Sequence, residues 1–361
     1  MLHGTISPDL QSSRVTSLAA LEAMAGPLED LALSSGALVY QHPAFFLPWA
    51  RVAAQAGQSP ACLAIHRGER LVGFLPLFLR RDRRALMART LVTPRYGSSP
   101  PFDLMVAPQD QAAVMDLMVE EVSRLPWLEQ RFRFDVQGTT LGGAWADRFA
   151  DLGFQVSRQP GPDYFLHQCQ GGADGFRDSL PRKHRMNCER LERRLLSEGH
   201  VALVTGPGNA LDRALQDMGA IVRRSWKGTA EMDRRGLAML VDVARSLAAA
   251  GMLRLWLAHV SDRPVAYLLE IEDWRRHRHA FHNAQDEEMG HYGPGAVLLF
   301  TSLRAAYGDG QASYDYWGYR PYLHRFSNQL LPTRNVVIGR PGALPALQRG
   351  AMRLFSKGAG R

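Results

Sequence analysis

Cysteine and lysine are both scarce in this sequence. The three cysteines, Cys62, Cys169 and Cys188, have neither the paired spacing of a structural zinc site nor that of a disulfide framework. A reducing compartment without a metal is the expectation. Lysine occurs only at Lys183, Lys227 and Lys357, so arginine carries nearly all of the basic excess, 43 Lys+Arg against 35 Asp+Glu for a net charge of +8. That balance suits an anionic partner such as a nucleotide, RNA or an acidic membrane surface, without choosing among them. No uncharged apolar run reaches the roughly 18 residues of a spanning helix. The opening MLHGTISPDLQSSRV lacks the basic region and apolar core of a signal peptide, and a cytoplasmic location is expected. No Walker pattern, dinucleotide fingerprint or HExxH motif is present.

What is present is an ordinary globular composition, 46% hydrophobic and 22% charged, in 361 residues. That length exceeds a typical single domain and suits two. The segments ACLAIHRGERLVGFLPLFL and LRLWLAHVSDRPVAYLLEIED each read as strand, tight polar turn and strand. In both, the second strand carries a small residue after valine, Val72-Gly73 and Val265-Ala266, and both have a helix upstream. The echo predicts two mixed α/β domains of one kind, divided as 1–175 and 176–340, followed by a basic amphipathic tail at 341–361. In the tail, Leu344, Leu347, Ala351, Leu354 and Phe355 form one helical stripe that suits either its own domain or an anionic bilayer.

Candidate chemistry concentrates between residues 277 and 325. The turn Tyr292-Gly293-Pro294-Gly295 opens directly into an apolar helix with Leu298, Leu299, Leu303 and Ala306 on its buried side, and unpaired N–H groups at such a start can hold a pyrophosphate. His277 and His279 are expected on one strand face and His282 on the other, which disfavours a three-histidine metal site. His282 ends the alternating segment where a polar loop begins and is a candidate proton acceptor. Asp315, inside the aromatic strand SYDYWGY, is a second candidate base. No cysteine has a local activating histidine signature, which favours direct transfer between bound partners over a covalent intermediate. The predicted helix from Arg182 to Glu198, stopped by Gly199, presents Arg182, Arg185 and Arg193 along one side. Phosphates of RNA, lipid or a cofactor are candidate partners for that side.

These motifs, in this order, resemble the acyltransferases of the CelD-type cellulose-biosynthesis family, related to Gcn5-type N-acetyltransferases and Fem-type aminoacyltransferases. The resemblance rests on RKHRMNCERLERRLLSEG, Ser225-Trp226-Lys227-Gly228, LWLAHVSDRPVAYLLE, Tyr292-Gly293-Pro294-Gly295, and Asp315-Tyr316-Trp317-Gly318 followed by Tyr322. It is ordered from about residue 180 to 326 and looser over HPAFFLPW and GERLVGFLPLFL. It implies tandem Gcn5-related acetyltransferase folds in an α/β class with mixed sheets. The first domain would be degenerate for cofactor binding, and the second would hold acyl-CoA, without a metal, beside a splayed sheet and the helix starting at Gly295. Two positions depart from the family pattern: its Ser-Pro-Gly element is Gly293-Pro294-Gly295 here, and Leu323 stands where a lysine follows the tyrosine. Arg325 is the nearby candidate to replace that charge.

The resemblance implies acyl-CoA-dependent N-acylation of an amine, either a lipidic long-chain amine or an amino sugar of an envelope or exopolysaccharide pathway. His282, Asp315 and Tyr322 would be catalytic. Gly293, Pro294, Gly295 and Arg325 would meet coenzyme A, and Lys227, Arg182 and Arg185 the acceptor. Peripheral contact with the inner face of the cell membrane is a further expectation. Two other readings stay open: a Fem-like transferase that uses aminoacyl-tRNA, and a non-catalytic scaffold of polysaccharide assembly.

Overall fold

A computed structural model of the chain describes residues 9–82, 88–93, 103–135, 140–161, 163–230, 234–316 and 320–342. The chain forms two units, one from its start to Gly161 together with the segment from Pro332 onward, the other from Pro162 to Leu331.

In the first unit, β1 (Leu10–Val15), α1 (Leu18–Ala23), α2 (Ala25–Ser35) and α3 (Pro43–Gln55) precede β2 (Ser59–Pro60), β3 (Cys62–Arg67), β4 (Arg70–Leu75), β5 (Phe78–Asp82), β6 (Ala88–Val92) and β7 (Met105–Val106). Then come α4 (Gln111–Arg124), β8 (Glu129–Asp135), α5 (Thr140–Asp151) and β9 (Gln155–Pro160). The second unit contains β10 (Tyr164–Gln168), α6 (Gly172–Ser179), α7 (Arg182–Glu198), β11 (Gly199–Val204), α8 (Asn209–Arg224), α9 (Trp226–Ala230) and α10 (Arg234–Ala249). It continues through β12 (Leu253–Val260), β13 (Arg263–Glu272), β14 (His277–Gln285), α11 (Pro294–Gly308), β15 (Ser313–Asp315) and β16 (Gln329–Leu331), after which β17 (Thr333–Gly339) rejoins the first unit.

The sheets run β1-β3-β4-β7 and β2-β5-β6-β8-β17-β9 in the first unit and β11-β12-β13-β14-β15-β10-β16 in the second. The boundary expected at 175/176 therefore moves. β10 pairs with β15 and β16, so the second unit starts before it, and 333–339, expected to close the second domain, lies between β8 and β9. The first unit thus receives β17 from beyond its continuous stretch of chain, whereas the second is continuous. The expected tail helix lies outside the described residues, as do Trp317 and Gly318.

The echoed segments form matching hairpins, β3–β4 and β12–β13, each with a register shift near the turn. The second turn has Ser261 and Asp262 at positive φ, 46° and 64°, which matches the twist of a tight hairpin. The small residue after valine has a packing reason. A Cβ on Gly73 would lie 2.4 Å from Val114 Cγ1 of α4, and Ala266 is fully buried in one cluster with Val297 and Leu298 of α11. Both positions let a helix lie close on the sheet. In the second unit Glu270 crosses that interface: its carboxylate accepts from Trp256 Nε1 at 2.7 Å and from the hydroxyls of Ser302 and Tyr314. Burial raises its pKa, and the three donors satisfy a group that would be costly if left alone.

Candidate active site

β14 is paired on both sides only at its start. Its parallel ladder with β15 ends at His279↔Asp315, whereas its antiparallel ladder with β13 continues to Gln285↔Ala266. From Ala280 to Gln285 no strand among the described residues pairs with the β15 side of β14, and His282 and the approach to α11 lie on this fork.

A β-bulge decides where His282 points. The register passes from Glu270↔Ala280 to Leu269↔His282, which makes Phe281 the extra residue of the bulge. Directly opposed residues share a face, so His282 follows Leu269 as His279 follows Ile271. The expectation that His282 faces away from His279 is corrected: the extra residue restores it to the same face. Separate partners still hold the two histidines apart, and among the described residues no group of His, Cys, Asp or Glu is placed to hold a metal ion.

His279 is pinned between carboxylates, Nδ1 3.3 Å from Asp315 Oδ2 and Nε2 3.2 Å from Asp273 Oδ2. Burial alone would lower its pKa, but the hydrogen bonds and charges of Asp273 and Asp315 prevail and raise it to about 9. Asp315 thus faces a protonated imidazole at neutral pH. For Asp273, burial works upward, and the bond and charge of His279 with the charge of Arg275 hold it below the usual carboxylate range.

His282 is half-buried and its Nδ1 lies 2.7 Å from the Tyr267 hydroxyl. Burial, reinforced by the Lys227 charge, holds its pKa well below the ordinary value, so the ring is neutral at pH 7. Lys227 on the short α9 donates from Nζ to the Asn283 carbonyl at 2.6 Å and lies near its Oδ1 at 3.4 Å. This ties Lys227 to the fork strand one residue beyond His282. The neighbouring Trp226 indole, 45% exposed, has the Lys227 ammonium 5.8 Å and the Arg320 guanidinium 5.6 Å from its centroid.

α11 begins at Gly293, whose φ of 61° suits glycine and whose Cβ would meet Leu191 Cδ1 of α7 at 2.8 Å. The Gly295 N–H donates to Gln285 Oε1 at 3.2 Å, and a Cβ on Gly295 would come within 2.8 Å of that oxygen. An uncharged side-chain amide therefore occupies the start of a fifteen-residue helix. Arg194 stands beside it, donating to the His291 carbonyl at 3.3 Å with its guanidinium 5.2 Å from the Tyr292 ring centroid.

Four sequence candidates belong elsewhere in the second unit. Arg325 is exposed beside His184, whose pKa falls through burial and then through this charge, and it makes no hydrogen bond or ion pair with the 293–295 turn. Arg182 and Arg185 lie on the first turn of α7, about 13 Å and about 9 Å along the helix from Leu191 at 1.5 Å per residue. Arg185 is engaged by the Arg177 carbonyl and, at 3.7 Å, by Glu189. Tyr322 is half exposed on a short 3-10 turn, whereas Leu323 is buried in the core with Phe326, so the position that departs from the family lysine packs inward here. Tyr267, Asn283 and Gln285 escaped the sequence reading. Gln285 and Asn283, polar residues ending a strand just before a glycine turn, were the legible part of that signal.

The comparisons agree with this geometry. The acetyltransferase (GNAT) domain model matches residues 182–322, inside the second unit. Among solved structures, FemX superposes with a TM-score of 0.57 at 12% identity, over 90% of this chain and 96% of its own. The fold is the GNAT fold, in tandem. L-PGS from Bacillus licheniformis matches at a TM-score of 0.56 and 8% identity, over 92% of this chain and 96% of its own. A conserved protein of unknown function from Bacteroides thetaiotaomicron matches at 0.51 and 10%, over 91% and 99%. No curated protein matches the sequence. The GNAT fold accounts for the two units, each with a parallel strand pair in a mixed sheet, β6–β8 and β14–β15.

Proposed function

We propose that the chain is an acyl-CoA-dependent N-acyltransferase, with the thioester held by the second unit and an amine as acceptor. The observation that carries this reading is the open fork of β14, bounded by a neutral half-buried histidine and by a helix start covered only by an amide. A diphosphate fits there, because it can replace Gln285 as acceptor for Gly295 N–H, favoured by the helix dipole and the nearby Arg194. Gly293 and Gly295 leave the approach free of Cβ atoms, and Pro294 starts the helix.

In the transfer, the amine nitrogen attacks the thioester carbonyl carbon, the C–N bond forms, and the C–S bond breaks. His282 and Asp315 border the fork where the amine meets the thioester, and the amine proton leaves to Asp315 or to water. Tyr322, exposed outside the fork, is assigned no step in the transfer. Lys227 places a positive charge next to His282, which suits an acceptor with an anionic group. The outer side of α7 exposes Arg182, Arg190 and Arg193 with Met186, 54% exposed, and Leu196, 50% exposed. These groups favour an amine presented at an anionic lipid surface over a free amino sugar.

Native mass spectrometry of freshly purified protein tests the donor, with co-purifying coenzyme A or acyl-CoA as the expected result. Binding of charged tRNA without acyl-CoA would favour aminoacyl transfer, and binding of neither would favour a scaffold. Cosedimentation with anionic but not neutral vesicles, declining with salt, is expected for the α7 surface.

A further inference from the structure

The Tyr267–His282 pair carries information that the fork alone does not. Tyr267 is fully buried on β13, its ring stacked on His282 at 16° with centroids 5.8 Å apart, and among the described residues its hydroxyl has His282 Nδ1 as its one partner. The Phe281 bulge creates this meeting by turning His282 onto the Tyr267 face. Two proton arrangements fit the 2.7 Å contact. If Nδ1 carried the proton and donated to the hydroxyl oxygen, the tyrosine O–H would be a buried donor without an acceptor, at a cost of about 1–3 kcal/mol. If the tyrosine donates to a bare Nδ1, both groups are satisfied, and only spare hydroxyl lone pairs remain unused.

We propose that Tyr267 is a positioning residue that fixes His282 as the Nε2–H tautomer, so that His282 meets its ligand as a hydrogen-bond donor to oxygen and not as the proton acceptor. Burial and the Lys227 charge keep the ring from gaining a second proton. Nδ1 is taken by Tyr267, which leaves Nε2 as the ring nitrogen open to substrate. A donor beside a cation selects an oxygen that carries or develops negative charge. In the proposed transfer this is the acyl carbonyl oxygen as it becomes an oxyanion. The amine proton then goes to water or to Asp315, and the tyrosine and imidazole protons stay where they are. The assignment of the oxygen rests on the transfer reaction proposed above; the tautomer does not.

Nitrogen-15 NMR of the full-length protein with labelled histidine, His282 being assigned by its loss in His282→Gln, tests the tautomer without any substrate. At pH 7 a protonated Nε2 and a bare Nδ1 are expected; a protonated Nδ1, or an imidazolium, overturns the proposal. Tyr267→Phe should release the ring, so that the Nδ1–H form becomes visible in a chain whose other resonances persist. In thiol-release assays His282→Gln, which keeps an N–H donor but cannot act as a base, should retain at least about tenfold more turnover than His282→Ala, and equal losses contradict the donor role. If no acyl-CoA supports turnover, the acyl-transfer reading fails while the NMR result still decides the tautomer.

Discussion

The two units start their sheet-covering helices with opposite chemistry. In the first, the residue before α4 is Asp110, a carboxylate buried to 7% exposure and held by Arg67 at 2.7 Å, so a carboxylate–guanidinium pair already stands at that helix start. In the second, α11 starts on Gly293 in the left-handed region, and only the neutral amide of Gln285 meets its first free N–H. A phosphate approaching α4 would meet an ion pair already made, whereas one approaching α11 would displace a dipole. Under the proposed function, two similar hairpin-and-helix units differ in binding through a few residues at one helix start.

The largest expected effect lies at the fork. His282→Ala should lower turnover by about 100-fold, within the roughly 10² to 10⁴ range of a positioned catalytic group, and leave acyl-CoA affinity nearly unchanged. Thiol release at saturating acceptor checks it, and retention of most of the parent rate would remove the catalytic role from His282. Next comes the helix start. Gly295→Val forces Gln285 aside and fills the approach, and should weaken acyl-CoA binding by about tenfold or more in calorimetry with folded protein. Gln111→Val, on the first turn of α4, should leave affinity unchanged.

The units should also differ in their response to pH. His279 has a folded pKa raised to about 9, so its stabilising effect is complete below its unfolded value of about 6.5 and is lost as pH rises through 9. Asp103 in the first unit is raised to about 7 by burial, which its bond from Leu104 N–H only partly offsets. Its effect is complete below about 3.9 and is lost as pH rises through 7. Thermal melts should therefore show Asp103→Asn flattening the loss between pH 4 and 7, and His279→Gln flattening the loss between pH 6.5 and 9. A pH dependence unchanged in either variant refutes the corresponding assignment. The smallest effect is expected at Asp110→Ala, a melting-temperature decrease of no more than about 4 °C with acyl-CoA binding intact.

Much of this was legible in the residues themselves. The Pro181 and Gly199 punctuation fixed α7, the apolar spacing after Gly295 fixed the buried side of α11, and the small residue after valine marked the place where each helix meets its sheet. The placement of β10 and β17 was not legible, since both alternate like any strand and nothing local states which sheet they join. The bulge at Phe281 was hidden for the same reason: strand periodicity assumes two residues per repeat, and one extra residue reverses every face beyond it. His279 read as an ordinary strand histidine because its second carboxylate partner, Asp315, lies 36 residues away, across a whole helix. Leu323 was visible as a departure, but only burial shows that it serves the core.

The most direct test of the contrast between the units is the stoichiometry of coenzyme A on the full-length chain by native mass spectrometry, measured for the parent, Gly295→Val and Asp110→Ala. One bound molecule per chain in the parent, lost in Gly295→Val and kept in Asp110→Ala, is the result predicted. Two molecules per chain, none, or one that survives Gly295→Val would contradict it.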